Sequence, residues 1–417
     1  VTRPVEVLNT TRLVHRGSGT GTSWWRTSAI CDLPGAFGAD DLAALHEQLP
    51  PVRKLGFDAV LLRLAEADVT RRTHDLKQLI DIAHGNDLRV MVRVVAAPDD
   101  QVTAPTATPP LVELLDNAHV LVERTRALLN TGVDGVDVGL IVDAPELGDG
   151  ARRGEEFSRT VNQQLAELAD LDSQTILSAE ASRSHPDFFH RHLTEDWFHH
   201  LRDDALYGSP WSAQSLQKRI AQTYKDRDPL GHAAAWRPSL KTWAENPRLR
   251  GAIAGSWEED APAARSSAMV TFAASLPGAI YLPYLTCGGS VHVSQLRRPR
   301  LALSLGNAPL NMFQRGLASS VLHLRKKYDL GKATLAFVEG LSWANDQTSV
   351  HLSGPIMVVL NTSSRSITVP NHHSPLLYSG GFLESTAEGT VVEPESCAWF
   401  VAGRPDPIDP AHYSTAR

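Results

Sequence analysis

The sequence predicts an α/β protein, a (β/α)8 TIM barrel followed by a C-terminal antiparallel β-sandwich domain. Two observations carry that expectation. Up to about residue 330, amphipathic helices alternate with near-continuous apolar runs, and beyond it short strands follow one another with little helix between them. Strands that are apolar along their whole length are buried on both faces, which is the condition of a parallel sheet covered by helices. Repetition of the unit over this length favours a closed barrel over an open doubly wound sheet. The expected organisation is a flexible leader over 1–23, the barrel over 24–330, the β-domain over 331–403 and a Pro-rich tail over 404–417.

The leader holds GSGTGT at 17–22, which imitates a phosphate loop. No strand is expected before it and no clear helix after it, so it is assigned to the leader. In Asp40–Leu49 the residues Leu42, Leu45 and Leu49 fall on one helical face, and KLGFDAVLLRL then turns at Gly56 into a strand. Leu76, Leu79, Ile80 and Ala83 line the next helix, Gly85 is its expected C-terminal left-handed residue, and LRVMVRVV is the strand that follows. A third unit runs from LVELLDNAHVLVERTRALLNTG into VDGVDVGLIV, and a fourth from Phe157 through NQQLAELADLD to TILSAEA. In the last part TLAFVEGL, SVHLSG, PIMVVLNTSS, SITVP and SCAWFVAG read as short strands split by turns.

Composition narrows the function. A net charge of −7 supplies no basic field, so nucleic acid and anionic membranes are not expected partners. Cys31, Cys287 and Cys397 lie far apart and suggest neither a disulfide framework nor a zinc site. The N-terminus lacks the apolar run of a signal peptide, and no window is apolar enough to span a bilayer, so a cytoplasmic protein without cofactor or metal is expected. The run HPDFFHRHLTEDWFHH is rich in histidine and acid but has no metal-ligand spacing. Its Phe188, Phe189, Leu193, Trp197 and Phe198 suggest helix packing instead.

Several segments resemble glycoside hydrolase family 13, the α-amylase family, and its α-glucosidase and trehalose synthase branch in particular. SWWRTSAICDL resembles the approach to that family's first strand, W-W-x-x-A-x-I-Y, and PVRKLGFDAVLLRL resembles L-x-Y-L-x-x-L-G-V-D-A-I-W-L. SAMVTFAASLPGAIYLPY resembles a helix and strand ending L-P-G-x-P-x-x-Y-Y, while VLHLRKKYDLGKATLAF and PIMVVLNTSSRSITVP resemble the last barrel helix and the β-domain. These pieces stand in the family's order, from about Trp24 to about Ala402.

The resemblance implies α-glucoside chemistry by two carboxylates, a nucleophile and a general acid about 5–5.5 Å apart in retaining enzymes. Here the chain departs from the pattern. The family's loop domain after the third strand shrinks to about thirty residues, Pro98 to Asn130. In GVDGVDVGLIVDAP the pattern G-x-D-G-x-R-x-D puts Asp137 where the Arg belongs and Gly139 where the nucleophile belongs. The third strand ends with Arg93, Ala97 and Pro98 in place of D-x-V-x-N-H. ILSAEAS keeps Glu180 at the acid/base position. KTWAENPR keeps Pro247 and Arg248 but puts Trp243, Ala244 and Glu245 where N-H-D is expected, and SWEEDAP at 256–262 offers a second carboxylate cluster for that place.

Glycine cannot form a glycosyl ester, so the family mechanism cannot run as written. Asp137 and Asp143 flank the vacancy. Asp137, two residues before Gly139, is expected on the same face but one pleat deeper, paired to an arginine such as Arg93 inside the barrel. Trp243 and Arg248 are candidate sugar contacts. Two readings follow. One is a non-catalytic member that binds an α-glucoside or oligosaccharide, or serves as scaffold to a protein partner in carbohydrate metabolism. The other is an enzyme on α-glucosides with rearranged carboxylates, Glu180 with Asp137 or Glu245. Inverting chemistry needs only an acid and a base, about 6.5–9.5 Å apart.

Overall fold

Two sheets organise the chain. The computed structural model describes residues 10–17, 23–33, 37–64, 69–94, 118–141, 151–170, 174–184, 186–239, 255–283, 312–371, 373–380 and 383–401. The first strand, β1 (Thr10–His15), lies in the C-terminal domain. The barrel is built from β2 (Ala29–Asp32), β3 (Ala59–Arg63), β4 (Arg89–Arg93), β5 (Gly135–Ile141), β6 (Ile176–Ala181), β7 (His200–Arg202), β8 (Ala235–Trp236) and β9 (Ala279–Pro283). All of its ladders are parallel, and the spatial order is β7-β6-β5-β4-β3-β2-β9-β8.

Helices wrap this sheet, and those that the sequence periodicity placed show local differences that have clear causes. The stretch expected as one helix over Asp40–Leu49 is two, α1 (Ala39–His46) and α2 (Leu49–Leu55). Pro50 and Pro51 lack the amide a continuing helix needs, but they are tolerated in the first turn of a new one. Gly56 then ends α2 in a left-handed conformation, φ 106°. In α3 (Thr73–Gly85) the buried residues are Leu76, Leu79, Ile80 and Ala83, the predicted face. Gly85 is still helical, however, and Asp87 takes the left-handed position at φ 63°. The Asp87 and Leu88 amides reach back to the His84 and Ala83 carbonyls, closing the helix end. The helices α4 (Ala118–Leu129), α5 (Ala151–Ala169), α6 (Pro186–Glu195), α7 (Ala213–Arg227), α8 (Ala263–Ala274) and α9 (Met312–Lys327) complete the described shell. No described helix is long and apolar enough to cross a membrane.

The C-terminal domain is a sandwich. β10 (Leu335–Glu339), β11 (Thr348–Ser353), β12 (Ile356–Asn361), β13 (Ile367–Pro370), β14 (Ser374–Tyr378), β15 (Glu384–Ser385), β16 (Gly389–Val392) and β17 (Ser396–Val401) follow in order. They form a six-stranded sheet β1-β10-β11-β12-β17-β14 and a three-stranded sheet β13-β16-β15. The six-stranded sheet is a middle layer. Ile356, Val358, Leu360, Cys397 and Trp399 join the barrel's core, while the alternate residues Met357, Val359, Ala398 and Phe400 join Ile367, Val369 and Val392 between the sheets. Burial on both faces explains why β12 and β17 are nearly unbroken apolar runs. Each such side chain contributes roughly 1.5–3 kcal/mol.

The leader differs from its expectation. Thr10–His15 forms an edge strand that pairs antiparallel with β10, and so precedes the GSGTGT run. Its exposed, alternating TTRLVH carries little apolar signal, which is why the sequence did not reveal it. Downstream stands only the four-residue 3-10 turn Trp24–Thr27, too short to supply the helix N-terminus of a phosphate loop.

Candidate functional site

Side chains alternate along a strand, so residues two apart share a face. On the inner face of the barrel, Ile30, Ala59, Leu61, Met91, Ile176, Ala235 and Tyr281 form one apolar cluster, closed below by Trp24 and Trp25. Two residues further along the same strands come Asp32, Arg63, Arg93 and Arg237, with Asp137, Glu180 and Arg202 from β5, β6 and β7. These lie at the C-terminal ends of the strands, the end on which barrel enzymes build their sites. All seven are buried, none more than 6% exposed.

Six of them close into a ring of alternating charge. Asp32 pairs with Arg237 at 2.5 Å, Arg237 with Glu180 at 2.5 Å, and Glu180 with Arg202 at 3.4 Å. Arg202 then pairs with Asp137 at 2.8 Å, Asp137 with Arg93 at 3.3 Å, and Arg93 returns to Asp32 at 3.8 Å. Arg202 also donates to Ser178 Oγ at 3.3 Å and lies over the Tyr281 ring, 4.5 Å from its centroid. Below it, Tyr281 Oη and His200 Nδ1 are 2.7 Å apart, and His200 Nε2 meets the Trp25 carbonyl at 2.8 Å.

The electrostatics follow from the ring. Burial would raise the carboxyl of Asp137, but Arg202 and Arg93 outweigh it, with the Gly139 amide adding to them, and hold it well below the usual range. Glu180 stands the same way. Burial is opposed by Arg237 and Arg202 and by the Tyr207 hydroxyl, which donates to Oε1 at 2.8 Å, and its carboxyl is lowered. Arg202 and Arg237 are correspondingly raised. Arg63, at the end of β3, is pushed down to about 10 by burial and by the like charge of Arg93.

The sequence-predicted residues fare differently. Asp137 and Glu180 are brought together, bridged by Arg202, and Arg93 is a partner of Asp137 as expected. The relation of Asp137 to Gly139 is not the simple pleat foreseen. Asp137 pairs in register with Ser178 but Leu140 pairs with Glu180, so β5 carries one residue more than β6 over this interval. Gly139 sits in the bulge at φ 75°, and its amide donates to Asp137 Oδ1 at 2.6 Å. Glu245, Trp243 and Arg248, with Ala97, Pro98, Asp143, Ala244 and Pro247, lie outside the described residues. From SWEEDAP, Glu258 is buried and accepts a hydrogen bond from Ser239 at 2.5 Å.

Sequence reasoning missed Asp32, Arg202, Arg237 and Tyr207. The three charged ones share a signal, a charged residue closing a short run as in AICD, HLR and AWR. Within the histidine run the buried members pack, while His190 is exposed. His192 stacks edge-on against Phe188, and His200 is barrel interior. Among the described residues no group of three His, Cys, Asp or Glu is placed to hold a metal.

With this geometry in hand, similarity to solved structures is informative about fold. The chain superposes on the native form of Nostoc punctiforme debranching enzyme with a TM-score of 0.57 and 11% identity, covering 91% of this chain and 99% of that one. A putative alpha amylase from Salmonella typhimurium gives 0.53 and 13%, covering 93% and 84%. An alpha-amylase from Lactobacillus plantarum gives 0.52 and 13%, covering 90% and 98%. No protein-family model matches the sequence, and no curated protein sequence does. The amylase-type barrel and sandwich are thus shared at a level of identity that speaks for fold, and chemistry must be argued from the site.

Proposed function

We propose that this chain is an amylase-fold protein whose barrel mouth does not hydrolyse glycosides, and that it acts as a non-catalytic carbohydrate-binding or scaffold protein in carbohydrate metabolism. The observation that carries the reading is the clamp on Glu180. A glycosidase general acid must hold a proton near neutral pH, which enzymes achieve by raising a carboxyl group's pKa in apolar surroundings. Glu180 has the opposite surroundings, with two guanidiniums on Oε2 and a tyrosine hydroxyl on Oε1. It is stabilised as a carboxylate, and both of its oxygens accept hydrogen bonds from within the protein.

The vacant nucleophile position supports the same reading. Gly139 lies in a left-handed bulge, where a carboxylate-bearing side chain would be strained. Asp137 does not substitute for it, because its oxygens are engaged by Arg202, Arg93 and the Gly139 amide. A carboxylate so held is a poor nucleophile and a poor base. An α-glucoside or oligosaccharide remains the ligand class proposed, with Trp243 and Arg248 as proposed contacts.

The test is incubation of the purified protein with maltose, trehalose, sucrose, maltooligosaccharides and an aryl α-glucoside, with Glu180→Gln beside it. No turnover above background in either folded sample is expected. Turnover by the unmodified chain that Glu180→Gln abolishes would overturn the reading in favour of a rearranged carboxylate pair.

A further inference from the structure

The barrel sheet has two ends. In the order β7-β6-β5-β4-β3-β2-β9-β8 each neighbour is joined by a backbone ladder, but among the described residues none joins β7 to β8. These are also the shortest barrel strands, three and two residues long. At this junction backbone groups find side chains. The Leu201 carbonyl of β7 accepts from the Arg227 guanidinium at 2.7 Å, and Arg227 is itself held by Asp203 at 3.1 Å. Trp236 of β8 turns its Nε1 the other way, toward the laddered β9 side, where the Pro277 carbonyl accepts from it at 2.6 Å and from Tyr224 Oη at 2.9 Å.

What crosses the junction is side-chain contact, and its upper layer is ionic. Glu180 of β6 holds Arg202 from β7 and Arg237 from the end of β8 on the same oxygen, Oε2. Arg237 also reaches Asp32 of β2, tying the far edge of the sheet to its other side. One residue layer below, His200 of β7 meets Tyr281 of β9. Removal of the Glu180 charge would leave two guanidiniums facing each other across a gap with no ladder to hold it.

We propose that the β7–β8 junction is the opening joint of this barrel and that Glu180 is the clasp across it. The inference rests on the reading of Glu180 as a clamped carboxylate, and adds what the clamp does. A backbone-paired strand opens only by breaking several hydrogen bonds together, whereas this junction is spanned by side chains, the Glu180–Arg237 pair above and the His200–Tyr281 hydrogen bond below. It is therefore the place where barrel motion concentrates.

Hydrogen exchange followed by mass spectrometry on the full chain, with Glu180→Gln and Arg237→Lys, tests this. The amides of residues 200–203 and 235–239 are expected to exchange roughly 10–100-fold faster in either variant, the effect of one charge-assisted hydrogen bond. Those of 59–63 and 89–93, in the laddered part, should change far less. If Glu180→Gln does not fold, Arg237→Lys, whose single ammonium cannot reproduce the fork that holds Glu180 and Asp32 together, carries the expectation in the same direction. Exchange that rises evenly around the barrel, or does not rise at the junction, would overturn the clasp. Turnover of an α-glucoside by the unmodified chain would overturn the reading beneath it instead, so the two failures are separable.

Discussion

The lower and upper halves of the barrel interior are made by the same strands, on the same face, two residues apart. Below, Ile30, Leu61, Met91 and Ala235 meet in an apolar cluster; above, Asp32, Arg63, Arg93 and Arg237 belong to a charged layer. The lower layer is held by contacts that are individually weak and tolerate exchange of like for like. The upper layer is held by pairing, so each member depends on its neighbours. Buried charges are costly to desolvate, and a ring of this kind is weak evidence for added stability over an apolar core. Its consequence is fragility on removing one member.

The comparison breaks most visibly at Arg202, which serves both Asp137 and Glu180. Arg202→Ala leaves two buried carboxylates short of a partner and is expected to cost about 3–5 kcal/mol in urea unfolding. Next comes Gly139→Asp, which restores a carboxylate to the nucleophile position in sequence. At φ 75° a side chain is strained, so the variant should lose roughly 1–3 kcal/mol and gain no turnover on an aryl α-glucoside.

A third test concerns buried histidines. Burial pushes His200 and His351 down to about 3, below the ordinary value of 6.5. The unfolded chain takes up protons that the folded chain refuses, so stability falls as pH drops from about 6.5 toward 3. The lowered carboxyls of Asp137, Glu180 and Asp203 act in the same direction at lower pH: their contribution is present above their unfolded values and is lost as pH falls through the folded ones. His351→Gln should flatten the slope between pH 6 and pH 4 by about one proton, ~1.4 kcal/mol per pH unit, measured as urea midpoints at both pH values. The smallest effect belongs to the apolar layer. Ile30→Val should cost about 0.5–1.5 kcal/mol with no change in that slope.

The same contrast explains what was legible in the sequence. Periodicity reports burial, and it placed β3, β4, β5 and β6 and the buried face of α3, because long apolar runs and helical stripes are local signals. It gave no hint of β1, whose residues are mostly exposed, or of β7 and β8, whose runs HLR and AWR are too short to carry a period. Asp137 and Glu180 stood out because a family pattern expects chemistry there. Arg202 and Arg237 did not, since their significance lies in partners 65 and 57 residues away in sequence. The bulge at Gly139 was equally hidden, because a single extra residue in β5 is defined only against its neighbour β6.

The central claim is that Glu180 is a fixed carboxylate with no proton to give. The most direct measurement is the carboxyl carbon resonance of Glu180 in protein labelled at glutamate Cδ, assigned by its disappearance in Glu180→Gln and followed from pH 8 to pH 4. The account predicts a resonance that stays at the ionised position through that range, below the ordinary glutamate value of 4.5. A resonance that titrates with a midpoint near about pH 6, as a glycosidase acid does, would contradict it.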